Sequence, residues 1–310
     1  MKIGIIGNGF VGKATMQLEC NDVEIYAYDI NPEMCNPKGT SLNDMLNCEI
    51  IFISVPTPMK ENGECFLDIV QSVVNDLNKI DYHGHIVLRS TIPVGTSDSL
   101  NCFFMPEFLT EKNYLQDFIN NKDWIFGLKN DEKQDEIFKN KITTLFSLAH
   151  KNKKITNNNI HFLMNKEAEM IKLFKNSFLA TKISFCNEMY QYCQVHNITY
   201  ENVRKLACND ERILHSHSYV PGHDGKKGYG GTCFPKDVAS LIFEMEKLNV
   251  TPHVLKSVKY RNDNVDRKEK DWETRHLLPL LDSDPHRAVI RWSFHRPQLV
   301  VDSTTCHSFY

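Results

Sequence analysis

MKIGIIGNGFVGKA, residues 1–14, puts an apolar run, a glycine-spaced turn and a helix-compatible stretch in immediate succession. Ile3, Ile5 and Ile6 make the run strand-like, and Gly7-x-Gly9-x-x-Gly12 follows it. In such a turn the first glycine allows the tight bend, the second lets backbone approach a pyrophosphate, and the third lets the helix pack close to the strand. The unpaired N–H groups where the helix starts, at Phe10 and Val11, suit an anionic phosphate. Alone, GxGxxG is a weak signal. Here a second strand-like run, VEIYAYD, ends at Asp29, 22 residues after Gly7, where a carboxylate grips the ribose hydroxyls of a dinucleotide. The same carboxylate repels a 2′-phosphate, so the pattern predicts NAD rather than NADP as cofactor.

The alternation continues outward. EIIFISV, HIVLRS and DWIFGL are further strand-like runs, with helical stretches such as Ile69–Lys79 between several of them. Such β and α alternation predicts a doubly wound parallel sheet with ligands at the carboxyl ends of its strands. VPTP (Val55–Pro58) and STIPVGT (Ser90–Thr96) fall at such ends. From about Ile160 the pattern turns helical. Glu167–Gln194 reads as one long helix, with Ala168, Ile171, Phe174, Phe178, Thr181, Phe185 and Met189 spaced by three and four. A shorter helix, Tyr200–Ala207, comes next. The expected class is therefore α/β: a Rossmann-like domain over residues 1–158, then a helical central domain over 159–272 whose long helix serves as a dimer seam.

Bulk properties narrow the setting. A net charge of −3 gives no overall basic field for nucleic acid or a membrane surface. No apolar run approaches the roughly 18 residues that span a bilayer, and the N-terminus enters a strand directly, without a leader. Ten scattered cysteines with no CxxC spacing suggest reduced thiols in a cytoplasmic setting and no zinc site.

GYGGTCFPKD, residues 228–237, carries the chemistry. Gly228, Gly230 and Gly231 place Cys233 behind a turn that lets ligand and backbone approach closely. Lys236 favours the nucleophilic thiolate. Asp237, four positions on, shares a side with the thiol if a helix starts here, and is within reach to activate a water. Taken bare, a cysteine is more often a small buried hydrophobe; the glycines and charges around this one weigh against that.

GNGFVG, VPTP, STIPVGT, PEFLTE (Pro106–Glu111), EAEMIKLFKNSFLATKISFCNE (Glu167–Glu188), DERI (Asp210–Ile213) and the cysteine motif occur in an order that resembles the UDP-glucose/GDP-mannose dehydrogenases. The likeness runs from Met1 to about Trp272. It implies an NAD-dependent enzyme that oxidises a nucleotide-sugar alcohol to the acid in two steps, acting as a homodimer. Thr57, Thr91 and Lys236 then line the cofactor side. Lys172 and Asn176, one helical turn apart, contact the reacting sugar hydroxyl and stabilise an oxyanion. Glu107, Phe108, Leu109, Tyr229 and Gly230 contact substrate, and Arg212 reaches the substrate of a neighbouring subunit. A surface salt bridge is the alternative for Arg212.

The implied route captures the aldehyde on Cys233 as a thiohemiacetal. Glu107, or a water held by Thr91, takes the hydroxyl proton, and Asp237 or Glu107 guides the hydrolytic water. Departures accompany the resemblance. Met34 stands where many relatives carry a basic residue five positions after the ribose aspartate, which implies weaker NAD binding. The run HSHSYVPGHDGKKGYGG is longer than the usual linker and reads as a mobile flap. Residues 271–310 contain no lysine or asparagine, and nothing from Glu273 onward resembles the family's second nucleotide-type domain, so 273–310 reads as an atypical, disordered tail. The sequence leaves open UDP-glucose, UDP-N-acetyl sugars or GDP-mannose as substrate. It also leaves open a single-step hydroxyacid dehydrogenase, which needs no cysteine, and a non-catalytic nucleotide-binding protein.

Overall fold

In the computed structural model, which describes residues 1–273, seven strands form one sheet in the order β2-β1-β3-β4-β5-β6-β7. They are β1 (Lys2–Ile6), β2 (Glu24–Tyr28), β3 (Ile50–Ile53), β4 (His85–Leu88), β5 (Phe103–Phe104), β6 (Trp124–Leu128) and β7 (Ile160–Met164). The helices are α1 (Phe10–Thr15), α2 (Asp68–Lys79), α3 (Thr96–Ser99), α4 (Tyr114–Ile119), α5 (Glu132–Lys151), α6 (Asn165–Val195), α7 (Tyr200–Ala207), α8 (Phe234–Lys247) and α9 (His253–Arg261).

Both faces of the sheet are covered, so its strands are apolar almost throughout. Ile3, Ile5, Ile50, Phe52, Phe103 and Phe126 point to the face packed by α1, α4 and α5, where Ala14, Phe118, Phe138, Ile142 and Phe146 meet them. Ile51, Ile53, Leu88 and Phe104 point the other way, onto Val70, Val74 and Leu77 of α2 and Ala168 of α6. The period-2 pattern of the strands thus divides cleanly between two cores.

The all-parallel expectation holds from β2 to β5 and fails beyond. β6 runs antiparallel to β5, through Phe104 opposite Gly127, and β7 is parallel to β6. The β5–β6 connection contains only the six-residue α4, and an antiparallel neighbour needs no crossover helix. Gly127 permits the approach: a Cβ there would lie 2.4 Å from Asn165 Oδ1 and 3.2 Å from Phe104 Cβ.

A second correction concerns Ile160–Met164, which is the edge strand β7 rather than the start of a helix, so the sheet reaches Met164. Ile160 and Phe162 pack on the first core, which fixes the run as half-buried strand. The helix starts only where Asn165 turns its side chain to Asp98 and the Cys102 carbonyl, at 2.8 and 2.9 Å. Glu167 accepts from the Met164 N–H and closes the cap.

α6 then runs for 31 residues, about 46 Å at 1.5 Å per residue. Its apolar stripe does not form the buried seam of this chain. Phe174, Phe178 and Phe185 are 61%, 58% and 61% exposed. The buried face is small and polar instead, including Lys172, Asn176, Ser177, Ala180, Ser184 and Asn187. α8 and α9 pack on this face, around Ala180, Tyr229, Val238, Ile242 and Val258. α7 closes the far end through Tyr200 against Cys186 and Cys193.

The loop expected to be a mobile flap is fastened at both ends. Ser218 accepts from the Tyr200 hydroxyl and from Arg204, and Lys226 pairs with Glu269 and Asp271. Lys227 lies over the Tyr190 ring. Among the described residues no helix is long and apolar enough to cross a membrane. The expectation for the tail falls, from residue 274 onward, outside the described residues.

Candidate active site

The glycines of the first loop occupy the geometry their spacing predicts. Gly7 has φ +87°, and a Cβ there would lie 2.7 Å from the Ser54 carbonyl oxygen. Gly12 packs so tightly that a Cβ would meet the Gly7 carbonyl at 2.2 Å. At Gly9 nothing lies within 4 Å of that position, which leaves an open approach to the backbone. Asp29 closes the loop: its two carboxylate oxygens accept from the N–H groups of Asn8 and Asn31, at 2.8 and 2.9 Å. A cleft lined by Gly7, Tyr28, Asp29, Ile30, Leu42 and Val55 adjoins it. Met34 contributes its carbonyl, which accepts from Asn8 Nδ2 at 2.7 Å.

The loops after β3 and β4 are stitched together beside this cleft. The Thr57 hydroxyl donates to the Thr91 carbonyl at 2.7 Å, and the Ser90 hydroxyl to the Val55 carbonyl at 2.6 Å. Buried Glu169, one turn before Lys172 on α6, secures the far side of the second loop. Its oxygens accept from Gly95 N–H at 2.5 Å and Ser97 N–H at 2.8 Å. Burial pushes that carboxyl above the usual carboxylate range, against the pull of those N–H donors.

The chemistry-bearing side chains converge where α6 and α8 meet the loop after β5. Lys172 Nζ donates to Glu107 Oε1 at 2.6 Å and to the Glu107 carbonyl at 2.7 Å, while Glu107 Oε2 accepts from Leu109 N–H at 2.8 Å. Phe108 lies under the ammonium groups of Lys172 and Lys175. One turn along α6, Asn176 Nδ2 donates to Asp237 Oδ2 at 2.6 Å. Lys236 Nζ donates to the other oxygen of Asp237 at 2.8 Å. Asp237 is fully buried, and its N–H donates to the Cys233 carbonyl as α8 begins, which places thiol and carboxylate on one side as the spacing predicts.

Burial pushes the Cys233 thiol up, and the nearby Lys172 and Lys236 only partly oppose it because Glu107 and Asp237 add negative charge. Lys236 pulls the thiol toward the thiolate, and its ammonium also pairs with Asp237 at 2.8 Å. Burial lowers the Lys172 ammonium, but Glu107, Asp237 and Cys233 outweigh it and hold the group above the ordinary lysine value.

Two stretches of the chain match family models: residues 37–147 the NAD binding domain of the UDP-glucose/GDP-mannose dehydrogenase family, and residues 166–264 its central domain. YtcA of Bacillus subtilis, provisionally named UDP-glucose 6-dehydrogenase, is 30% identical over 85% of this chain and 68% of its own length. The chain belongs to the UDP-glucose/GDP-mannose dehydrogenase family. It spans about half the length of some curated relatives: the UDP-glucose 6-dehydrogenase of Rickettsia typhi is 31% identical over 70% of this chain but only 49% of its own. The solved UDP-glucose dehydrogenase of Pyrobaculum islandicum shares the fold, with TM-score 0.70 and 22% identity over 84% of this chain and 68% of that one.

As in that family, the first domain is an NAD-binding one, and its residues fit the cofactor. Gly9 leaves the backbone open to a diphosphate, and Asp29 lines the adjoining cleft. Asp29→Ala is expected to weaken NAD⁺ binding about ten-fold or more, the scale of a lost hydrogen bond to a charged group. It also narrows the preference over NADP⁺. Titration of both nucleotides checks this; equal affinity of the unaltered chain for both would overturn the assignment.

Not every family-type residue gathers at this centre. Arg212 is 89% exposed and pairs with Asp210 at 2.6 Å, so it does not enter the site of its own chain. Tyr229 is a core residue against Phe234, and Gly230 packs on Arg267. Leu109 packs against the first core. Sequence reasoning missed Glu169, Asn187 and Asn262 as supports of these loops. Glu169 had a signal, since it lies three residues before Lys172 on one helix face; the two asparagines had none.

Proposed function

We propose that the chain catalyses the four-electron, NAD-dependent oxidation of a nucleotide sugar, UDP-glucose to UDP-glucuronate, through Cys233. The observation that supports it most is the gathering of Lys172, Glu107, Lys236 and Asp237 around the half-buried Cys233, which a hydroxyacid dehydrogenase does not need. NAD⁺, when bound, accepts one hydride in each of the two oxidations. The chain's own residues do the rest. Glu107 or a water at Thr91 takes the hydroxyl proton of the alcohol. The Cys233 sulfur then adds to the aldehyde carbon, forming a C–S bond, while Lys172 and Asn176 donate to the oxygen. After the second hydride leaves, the thioester carbonyl is attacked by a water that Asp237 orients. The C–S bond breaks and the thiol is recovered. In sum, one alcohol, two NAD⁺ and one water become one carboxylate, two NADH and three protons.

NADH release with a panel of UDP-glucose, UDP-N-acetyl sugars and GDP-mannose tests the reading. Two NADH per UDP-glucose is expected. One per molecule would indicate a single-step dehydrogenase, and binding without NADH a non-catalytic protein.

The assembly we propose is a homodimer along α6. Phe174 and Phe178 stack at 6.4 Å on the surface, and with Phe185 they line one exposed face. Arg212, exposed and outside its own site, suits a neighbour's substrate. Light scattering at micromolar concentration should give twice the chain mass; a fully active monomer would refute the shared site. The nine described cysteines are all free, which suits a cytoplasmic setting, and a uronate product suits polysaccharide synthesis.

A further inference from the structure

We infer that Asn262, seconded by Asn187, is a positioning residue that holds the glycine turn delivering Cys233; this rests on the reading of Cys233 as nucleophile. Asn262 follows α9 directly and is fully buried. Its carboxamide engages both polar groups of one residue: Oδ1 accepts from Tyr229 N–H at 2.7 Å, and Nδ2 donates to the Tyr229 carbonyl at 3.0 Å. A neighbouring strand would offer the same pairing; here a single side chain supplies it. One residue earlier, Gly228 N–H donates to Asn187 Oδ1 at 3.2 Å. Asn187 is itself fixed on α6 by donating to the Ile183 carbonyl at 2.9 Å. One residue later, Gly230 lies against the Arg267 guanidinium, where a Cβ would fall 2.3 Å from Cζ. Arg267 is held in turn by Asp224 and Asp271, at 2.7 and 2.9 Å.

Three successive residues of the turn are thus gripped from α6 and from the segment after α9. The grip has a reason. Gly228 and Gly231 both have positive φ, and a stretch with three glycines in four residues has more backbone freedom to lose than any other. Left to itself it would spread Cys233, two residues beyond Gly231, over many positions. Gly228 also has to be glycine for the contact to exist, since a Cβ there would lie 2.4 Å from Asn262 Oδ1. Neither asparagine is required by the carbon–sulfur chemistry itself; each acts on where the sulfur stands.

The test uses Asn262→Ala, which removes both bonds to Tyr229, and Asn187→Ala, which removes one bond to Gly228. In Asn262→Ala, kcat for NADH formation from UDP-glucose should fall about 100-fold, the scale of an ångström-sized misplacement, with KM and NAD⁺ affinity within about two-fold. NADH per sugar should drop from two toward one, because capture of the aldehyde suffers more than the first hydride transfer. Alkylation of the Cys233 peptide by iodoacetamide, followed by mass spectrometry, should accelerate as the thiol leaves its half-buried seat. Asn187→Ala should shift each readout in the same direction, by less. A purely structural role would lower the melting temperature and leave kcat, stoichiometry and alkylation as in the unaltered chain; that result in a folded Asn262→Ala overturns the inference. Failure of both variants to fold overturns it as well. If Cys233→Ala itself turned over normally, the nucleophile reading would fall instead; a dead Cys233→Ala beside a normal Asn262→Ala condemns only the positioning role.

Discussion

Cys233→Ala is expected to abolish the second oxidation while leaving NAD⁺ binding unchanged. The loss should be at least about 10⁴-fold in complete turnover, since removing a covalent nucleophile costs more than removing a group that supports it. A trace of the first hydride transfer survives, since oxidation of the alcohol needs no thiol. Cys233→Ser separates nucleophilicity from space: serine keeps the hydroxyl-sized group but adds poorly to an aldehyde at neutral pH, and its ester hydrolyses slowly. Trapping with substrate and NAD⁺ should place the adduct on the peptide containing Cys233. Desolvation of this thiol disfavours its charged form in the unliganded chain. In the proposed mechanism the thiol proton leaves during capture, and Asp237 and Glu107 are the carboxylates beside it. Two NADH per sugar from Cys233→Ala at the unaltered rate would overturn the mechanism.

Lys172→Met should be nearly as severe, and on two fronts. Lys172 is buried, and Glu107 beside it is buried too, with Lys172 as its ion-pair partner at 2.6 Å. Removing the cation strands a carboxylate that keeps the Leu109 N–H, and breaking a buried pair in this way costs about 3–5 kcal/mol. The rate should fall about 10²–10³-fold as well, through loss of an oxyanion donor. The two effects can be separated by adding Glu107→Gln, which removes the stranded charge. Urea unfolding of the double variant should recover most of the lost stability, whereas kcat should stay low. Recovery of both together would mean that Lys172 serves only the ion pair.

How much of this was legible in the sequence depends on distance along the chain. Gly7, Gly9 and Gly12 announced their conformations because the constraints on them are local: a positive φ, an open approach, a close carbonyl. β1 to β4 were legible for the same reason, since apolar runs buried on both faces look alike everywhere. β5 was not, because two residues cannot display a period. β7 was misread since IHFLM runs straight into a helix, and only its pairing with β6 shows where strand ends. The pairs that build the site, Glu107 with Lys172 and Asn176 with Asp237, lie 65 and 61 positions apart. Residue type suggested each member, but no pattern in the chain says which ammonium meets which carboxylate. The α6 phenylalanines mark a limit of another kind: their spacing reports an apolar face, which lies exposed on this chain, and not what covers it.

α6 also has a consequence for which changes the chain can tolerate. Glu169 holds the loop after β4, Lys172 and Asn176 bond Glu107 and Asp237, and Asn187 holds the glycine turn, all on one uninterrupted helix. A helix advances by about 100° of rotation per residue. Inserting one residue between Glu169 and Asn187 would therefore not lengthen a linker; it would swing every later group a quarter-turn and more out of phase with the earlier ones. Loops of this chain can grow or shrink, whereas this stretch acts as an index rod on which spacing is fixed to the residue. Indels should be absent from it even where nearly every side chain has been exchanged.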